Sequence, residues 1–101
     1  MNVLIQAVPE HAEARIQRDL ARGLLQSLEG TVQRVDYKGR ELKLVSQGQV
    51  WYLKVAADCQ LWFDDQPAIL RCFHPLDQVE VVYEQSEHGP TVKAMYARER
   101  N

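Results

Sequence analysis

The first third of the chain carries apolar residues at helical spacing. Between residues 16 and 28 an apolar side chain recurs every three to four positions, which places these residues on one face of a helix. They are Ile16, Leu20, Ala21, Leu24, Leu25 and Leu28. Glu10 and Glu13 suit the N-terminal turn, and Gly30 suits a left-handed C-cap. The pattern predicts an amphipathic helix over 10–29 after an N-terminal segment 1–9, with Gly23 as the one discordant residue.

After Gly30 the apolar period changes from 3.6 to 2, which is typical of half-buried strands. Alternating segments cover Glu41–Leu44, Trp51–Val55, Val79–Tyr83 and Val92–Tyr96. The segment 31–37 also has strand character, provided that a bulge separates Val32 from Val35. The pattern therefore predicts at least five strands.

Turn residues separate these strands at 38–40, 47–48 and 86–90. The middle of the chain, 56–75, is irregular; it contains a short strand Gln60–Phe63, a polar turn at 64–67 and an apolar segment at 68–73 whose path stays open. An open sheet of this kind would leave an apolar face and two edges exposed. We therefore predict a mainly β (α+β) fold, in which an OB-like or SH3-like barrel of five or six strands spans 30–98 and the helix covers one mouth or flank.

Composition narrows the class of protein. The 101 residues are 46% hydrophobic and 26% charged, with a formal net charge of -2. These values fit one folded domain over 1–101 and exclude both a disordered chain and a strongly basic duplex binder. The apolar run at 3–8 is too short to span a bilayer, so we expect a cytoplasmic protein without membrane association. Cys59 and Cys72 are expected as reduced thiols, with a bridge or a metal as open alternatives.

Residues suited to catalysis or to metal binding are few. The only formal nucleophile and base are Cys59 or Cys72 with His74, and no nucleophile, zinc-protease or phosphate-loop motif occurs. A zinc site would need these residues together with His88 or His11, but their spacing matches no recognised site. The carboxylates of the irregular middle, Asp58, Asp64, Asp65 and Asp77, are better explained as turn formers. We predict a non-enzymatic protein without cofactor or metal.

Positive charge is concentrated in the first three strands. The cations there are Arg34, Lys38, Arg40, Lys43 and Lys54. Tyr52 shares a strand face with Lys54 and is expected outside the barrel, whereas Trp51 and Tyr83 alternate with core residues and are expected inside. A second basic group lies on the predicted helix, where Arg15, Arg18 and Arg22 fall within about 60° of one another. These nine residues (the five cations, Tyr52 and the three helix arginines) are the candidate binding residues.

Several short motifs occur in an order that is known from one family of proteins. They are Gly30-Thr31-Val32-x-x-Val35-Asp36, then Asp65-Gln66-Pro67-Ala68, Leu76-Asp77-Gln78-Val79-Glu80-Val81 and finally Val92-Lys93-Ala94. Over about seventy residues the chain resembles a family of small uncharacterised bacterial OB-like domains, with Gln66 and Leu76 at positions where that family has glycine. The resemblance implies an OB-like barrel and no catalytic or binding residue.

Two functions fit these patterns. The first is protein–protein interaction or scaffolding, with an unknown protein partner or self-association through the helix and a sheet edge. The alternative is binding of single-stranded nucleic acid through the basic and aromatic residues of the first three strands, because OB barrels stack bases on sheet aromatics beside basic groups. The sequence favours the first, since aromatic residues in strands are common for packing reasons alone.

Overall fold

A computed structural model describes residues 15–98 of the chain. The predicted segment 1–9 and the first residues of the predicted helix, 10–14, lie outside this range. The elements are a helix α1 over 15–21 and six strands. The strands are β1 (Gln26–Asp36), β2 (Glu41–Ser46), β3 (Gln49–Phe63), β4 (Gln66–Pro67), β5 (Gln78–Ser86) and β6 (Gly89–Ala97). No helix in this part of the chain is long and apolar enough to cross a membrane.

Five of the strands close into a barrel, which confirms the predicted architecture. The hydrogen-bonded order is β1, β2, β3, β6, β5 and back to β1. Every pair is antiparallel except β3 with β6, which run parallel. The two-residue strand β4 pairs with the end of β3 and lies outside the ring. Closure gives each of the five strands two neighbours, so the backbone groups of the barrel find partners within the ring.

β1 pairs with two strands, β5 and β2, and Gly30 lies where the pairing changes from β5 to β2. Residues 26–31 pair with β5, and residues 31–36 pair with β2. A Cβ at Gly30 would lie 2.5 Å from the backbone oxygen of Val45 in β2. Just beyond this contact, the buried Ser46 hydroxyl donates a hydrogen bond of 2.5 Å to the Glu29 carbonyl oxygen. Gly30 is therefore a site of close backbone approach inside a strand, and the predicted helix C-cap at Gly30 is wrong.

The helix ends at residue 21, eight residues before its predicted end. Gly23 takes a left-handed φ of 79°, the Gly23 N–H donates to the Leu20 carbonyl oxygen at 3.0 Å, and the Leu24 N–H donates to that of Asp19 at 2.9 Å. This is the Schellman pattern, which satisfies the last carbonyls of a helix and reverses the chain. The residue that seemed discordant inside the helix therefore terminates it, and Leu28 belongs to β1.

α1 covers a flank of the barrel. Its apolar residues and the turn after it form a separate cluster on the outer face of β5 and β6. The cluster contains Ile16, Leu20, Leu25, Val82, Ala94 and Tyr96. Val82 and Ala94 are directly paired across the two strands, so they present one apolar strip to the helix. The described part of the helix therefore buries its apolar face against its own barrel, while Leu24 lies exposed.

The segment between β4 and β5 fills one end of the barrel. It contains a 3-10 turn, Leu70–Cys72, and both Leu70 and Phe73 are buried in the main core. The ring of Phe73 meets that of Phe63 edge to face, with the centroids 5.8 Å apart. The Tyr37 hydroxyl donates a 2.6 Å hydrogen bond to the Phe73 carbonyl oxygen, which fastens the segment to the turn after β1. The apolar stretch that had no assigned path is thus part of the core.

β3 contains two segments that were predicted as separate strands, Trp51–Val55 and Gln60–Phe63. It runs unbroken for 15 residues, through the stretch 56–59 where alternation fails. While β3 advances from Val55 to Gln60, its parallel neighbour β6 advances only from Val92 to Ala94. The surplus residues form a bulge, which bends the strand and disturbs the alternation. A second irregularity, between Val32 and Arg34 in β1, agrees with the bulge predicted there.

Replacing Gly30 with Ala tests the close approach in β1. The backbone oxygen of Val45 has little freedom to move, so we expect Gly30→Ala to lower the free energy of unfolding by about 2–3 kcal/mol. Gly23→Ala is the matched control: its Cβ would meet open space, and only the left-handed φ adds a cost of about 1 kcal/mol. Urea unfolding measures both, and an equal loss in the two variants would contradict the steric account.

Candidate ligand-binding face

The outer surface of β1, β2 and β3 brings together basic and aromatic side chains. Arg34 in β1 lies directly opposite Lys43 in β2, and Lys43 lies directly opposite Tyr52 in β3. Lys54 follows Tyr52 on the same face, since strand residues alternate between faces. We call Arg34, Lys43, Tyr52 and Lys54 the basic-aromatic face. Tyr52 is 67% exposed, as predicted from its shared face with Lys54.

The charges on this face are unevenly neutralised. The Lys43 Nζ lies 5.7 Å from the centroid of the Tyr52 ring, within reach of a cation–π contact. Lys54 pairs with Glu41 at 3.6 Å, an exposed ion pair that contributes little to stability. The Asp36 carboxylate, at the end of this face, accepts a 2.9 Å hydrogen bond from the Gly39 N–H, which holds its position without cancelling its charge. Positive charge is therefore concentrated at the Arg34–Lys43 pair.

Two grooves flank the centre of the face. The large groove, about 740 Å³, runs toward the turn that precedes β5, and the small groove, about 230 Å³, runs toward the β5–β6 hairpin. Both include Arg34, Lys43 and Tyr52 in their walls. The large groove adds Thr31, Val32, Gln33, Val45, Pro75 and Leu76. The small groove adds two carboxylates, Asp36 and Glu41, together with Lys54, His88 and Pro90 among others. The two grooves meet at Arg34, Lys43 and Tyr52 and together extend over the outer surface of β1, β2 and β3.

The other predicted cations are not part of this centre. Arg40, which has a left-handed φ of 54°, donates from Nη2 to the Ala56 carbonyl oxygen at 2.8 Å and from Nε to that of Val55 at 3.3 Å. Its guanidinium thereby satisfies carbonyls at the start of the β3 bulge, which gives Arg40 a structural role. Lys38 is exposed in the turn after β1, at the edge of the face.

The helix arginines lie on a different side of the molecule. Arg15, Arg18 and Arg22 are exposed on α1 and the turn after it. Because α1 covers β5 and β6, whereas β2 lies opposite these strands in the ring, the barrel separates the arginines from the basic-aromatic face. The nine candidate residues thus belong to two surfaces, and their role in binding stays a prediction.

Two further aromatic residues, Trp51 and Tyr83, support the barrel. Tyr83 is buried, and its hydroxyl donates a 2.8 Å hydrogen bond to Oε1 of Gln26. The half-buried Trp51 packs against it, with ring centroids 5.6 Å apart. These positions confirm the prediction that both rings belong to the interior, and they leave Tyr52 as the exposed ring on the basic-aromatic face.

The cysteines occupy different environments. Cys72 is exposed, whereas Cys59 is half-buried and packs against the core beside the β3 bulge, and both are free thiols. Burial raises the pKa of the Cys59 thiol to about 12; Asp58 also raises it, while Arg40 and Lys93 act in the opposite direction. Among residues 15–98, no three His, Cys, Asp or Glu side chains are grouped closely enough to hold a metal ion. His11 of the weighed zinc set lies outside the described residues.

Several residues of the grooves escaped the sequence analysis. Pro75 and Leu76 precede β5, and Gln33 is the extra residue at the β1 bulge. Gln33 could have been found from the predicted bulge, because a bulge re-aims the side chain that it leaves unpaired. The family resemblance marked Leu76 as standing at a glycine position, but no local signal placed Leu76 or Pro75 in a groove, since the pairing of β1 with β5 brings the turn before β5 beside β1.

Comparison with known proteins identifies the fold. No protein-family model matches the sequence, and no curated protein matches it. Solved structures of CusF from Escherichia coli are similar. The apo form, residues 6–88, has a TM-score of 0.60 at 8% identity over 74% of this chain and 88% of that chain. The Ag(I) form, residues 10–88, has a TM-score of 0.61 at 8% identity over 74% and 92%.

A Cu(II)-bound CusF variant gives the same result, with a TM-score of 0.60 at 8% identity over 75% of this chain and 94% of that chain. At this identity the likeness concerns the fold alone. It confirms the OB-type barrel. The predicted resemblance to a particular family of bacterial OB-like domains stays a prediction.

Thiol reactivity tests the difference between the two cysteines. We expect Cys72 to react with a disulfide reagent at pH 8 within minutes, and Cys59 to react about a hundredfold or more slowly, because a pKa near 12 leaves little thiolate. The rate at Cys59 should keep rising above pH 10 as the thiolate forms. Absorbance of the released thiolate measures both rates, with Cys72→Ser isolating Cys59. Equal rates in the folded protein would contradict the assigned environments, and urea-unfolded protein provides the reference.

Proposed function

We propose that this protein is a small non-enzymatic binding module, and that its basic-aromatic face binds single-stranded nucleic acid. The observation that carries the proposal is the direct cross-strand alignment of Arg34, Lys43 and Tyr52 on three adjacent strands. In OB barrels the outer face of the second and third strands is the usual ligand surface. Here that surface has an exposed ring beside two cations, and grooves on both sides.

The chemistry of the face matches a single strand better than a duplex. An unpaired base offers a π-face that stacks on an exposed tyrosine, while Arg34 and Lys43 offer positive charge to the adjacent phosphates. A duplex hides its base faces and needs a broad basic surface, whereas this chain has a net charge of -2. Binding should therefore be local, modest in affinity and sensitive to salt, because it depends on few phosphate contacts.

Two structural features support placing nucleic acid ahead of the protein partner that the sequence favoured. Self-association through the helix would need a free apolar face, yet Ile16 and Leu20 pack against the chain's own β5 and β6. Association through a sheet edge would be limited to the two-residue strand β4, which contains Pro67, because the other five strands form a closed ring. Protein–protein interaction through another surface is the second proposal, and a binding experiment separates the two.

Metal binding is not part of the proposal. The Ag(I) and Cu(II) of the CusF structures belong to that protein, and a likeness of 8% identity carries no ligand with it. Met95 carries a thioether, a group that soft metals bind. Its side chain is buried in the core, on β6 between β5 and β3. The cytoplasmic location stays a prediction from the sequence.

Binding of a fluorescein-labelled 15-nucleotide oligothymidylate, followed by anisotropy at about 20 mM salt, tests the proposal. We expect saturable binding by the full chain, with log K falling against log salt at a slope of about -1.4, since each of the two phosphate contacts, at Arg34 and Lys43, contributes about -0.7. Tyr52→Ala should weaken binding by about fivefold to a hundredfold and leave the slope unchanged, because it removes base stacking and no charge.

Arg34→Ala should reduce the magnitude of the slope by about 0.7. The control is Arg18→Ala, which removes the same charge from the far side of the barrel and should leave affinity unchanged. An absence of binding at low salt in the unmodified protein would refute the nucleic-acid proposal. Equal losses from Arg34→Ala and Arg18→Ala would refute the assigned surface.

A further inference from the structure

Leu76 has an unusual backbone conformation for its residue type. It lies in the turn before β5 with a φ of 78°, in the left-handed region. Its N–H donates a 2.8 Å hydrogen bond to the Val32 carbonyl oxygen, which attaches the turn to β1. The turn is also held from within, because the Asp77 carboxylate accepts a 2.8 Å hydrogen bond from the His74 N–H. The backbone of Leu76 is therefore fixed by its neighbours in this conformation.

Leucine is an uncommon residue at a left-handed position. A left-handed conformation costs an L-residue other than glycine roughly 1–2 kcal/mol. Burial of the side chain would offset that cost, yet Leu76 is 62% exposed. An exposed residue held in a rarely populated backbone region is the kind of outlier that accompanies binding sites. Leu76 thus combines backbone strain with an apolar surface presented to solvent.

The exposed side chain borders the large groove of the basic-aromatic face. Pro75, Leu76 and Val45 form the apolar part of the groove, and the Tyr52 ring forms part of the same lining. Arg34 and Lys43 add the positive charge. The groove therefore presents apolar side chains and an aromatic ring beside two cations, which is the complement of a planar base attached to a phosphate.

Polar groups for the edge of a base are present as well. Gln33, the extra residue of the β1 bulge, is exposed and lines the groove, and its amide carries both a donor and an acceptor. The Thr31 hydroxyl also lines the groove, where it accepts a 2.8 Å hydrogen bond from the Gln78 side chain. Since the Gln33 side chain extends from a residue without a ladder partner, it is well placed to contact a ligand without disturbing the sheet.

We infer that the large groove is a nucleobase site in which Leu76 forms one side. One base of the strand lies between Leu76 and the Tyr52 ring, its phosphate faces Arg34 and Lys43, and the Gln33 amide contacts its edge. This inference rests on the proposed function and deepens it. Leu76 is then a binding residue: its side chain contacts the base, and its left-handed backbone lowers the stability of the fold.

Leu76→Gly separates the strain from the binding. Glycine accepts a positive φ without steric cost but has a larger conformational entropy in the unfolded chain. We expect the variant to melt about 2–6 °C higher than the unmodified protein, and to bind the labelled oligothymidylate at least about fivefold more weakly. Leu76→Met, which keeps an apolar side chain in the groove, should retain binding within about twofold of the unmodified protein.

Gln47→Gly is the matched control. Gln47 also has a positive φ, 52°, but lies in the turn between β2 and β3 outside both groove linings. It should raise the melting temperature by a similar amount and leave binding unchanged. Melting is followed by circular dichroism, and binding by anisotropy at the salt concentration used above.

Each outcome has a distinct meaning. Unchanged oligonucleotide affinity in Leu76→Gly, when the unmodified protein binds, overturns the inference and leaves the proposed function standing. A lower melting temperature in Leu76→Gly overturns the claim of backbone strain. Failure of the unmodified protein to bind overturns the proposed function and this inference together. A loss of affinity in Gln47→Gly equal to that in Leu76→Gly shows a general effect of glycine and also overturns the inference.

Discussion

The barrel depends on the crossing of β1 from one neighbour to the other. β1 pairs with β5 along its first half and with β2 along its second half. At the junction its backbone approaches β2 so closely that a side chain at position 30 would have no room, and Gly30 has none. If β1 paired with β2 alone, the sheet would remain open, with β1 and β5 as the edges of the barrel strands. Closure therefore determines which faces point inward, and the position of the β1–β3 outer surface follows from it.

The small interior is filled by residues from distant parts of the chain. Alternating strand residues supply most of the core, and Leu70 and Phe73 complete one end from a segment with little regular structure. Because that segment is fixed by Tyr37, the turn that follows it is also fixed, and Pro75 and Leu76 are held beside β1. The same packing that completes the core thereby forms one side of the large groove.

Period-two patterning and turn residues predicted the barrel because they are local signals. The end of the helix was missed because Leu24, Leu25 and Leu28 extend the 3.6-residue stripe, although Gly23 had already stopped the helix. Tyr52 was correctly placed outside, since alternation decides its face. The roles of Arg40 and Leu76 depend on contacts with distant strands, to the β3 carbonyls and to Val32, and no local pattern contains that information.

The molecule has two apolar clusters on opposite sides of one sheet. The main core lies inside the barrel, whereas α1 is held on the outside of β5 and β6 by a few side chains around Val82 and Ala94. Fewer buried contacts hold the outer layer, so it forms a cooperative unit that opens at a lower free energy than the barrel. Amide hydrogens of α1 then exchange with solvent through partial openings, whereas those of the barrel strands exchange through global unfolding.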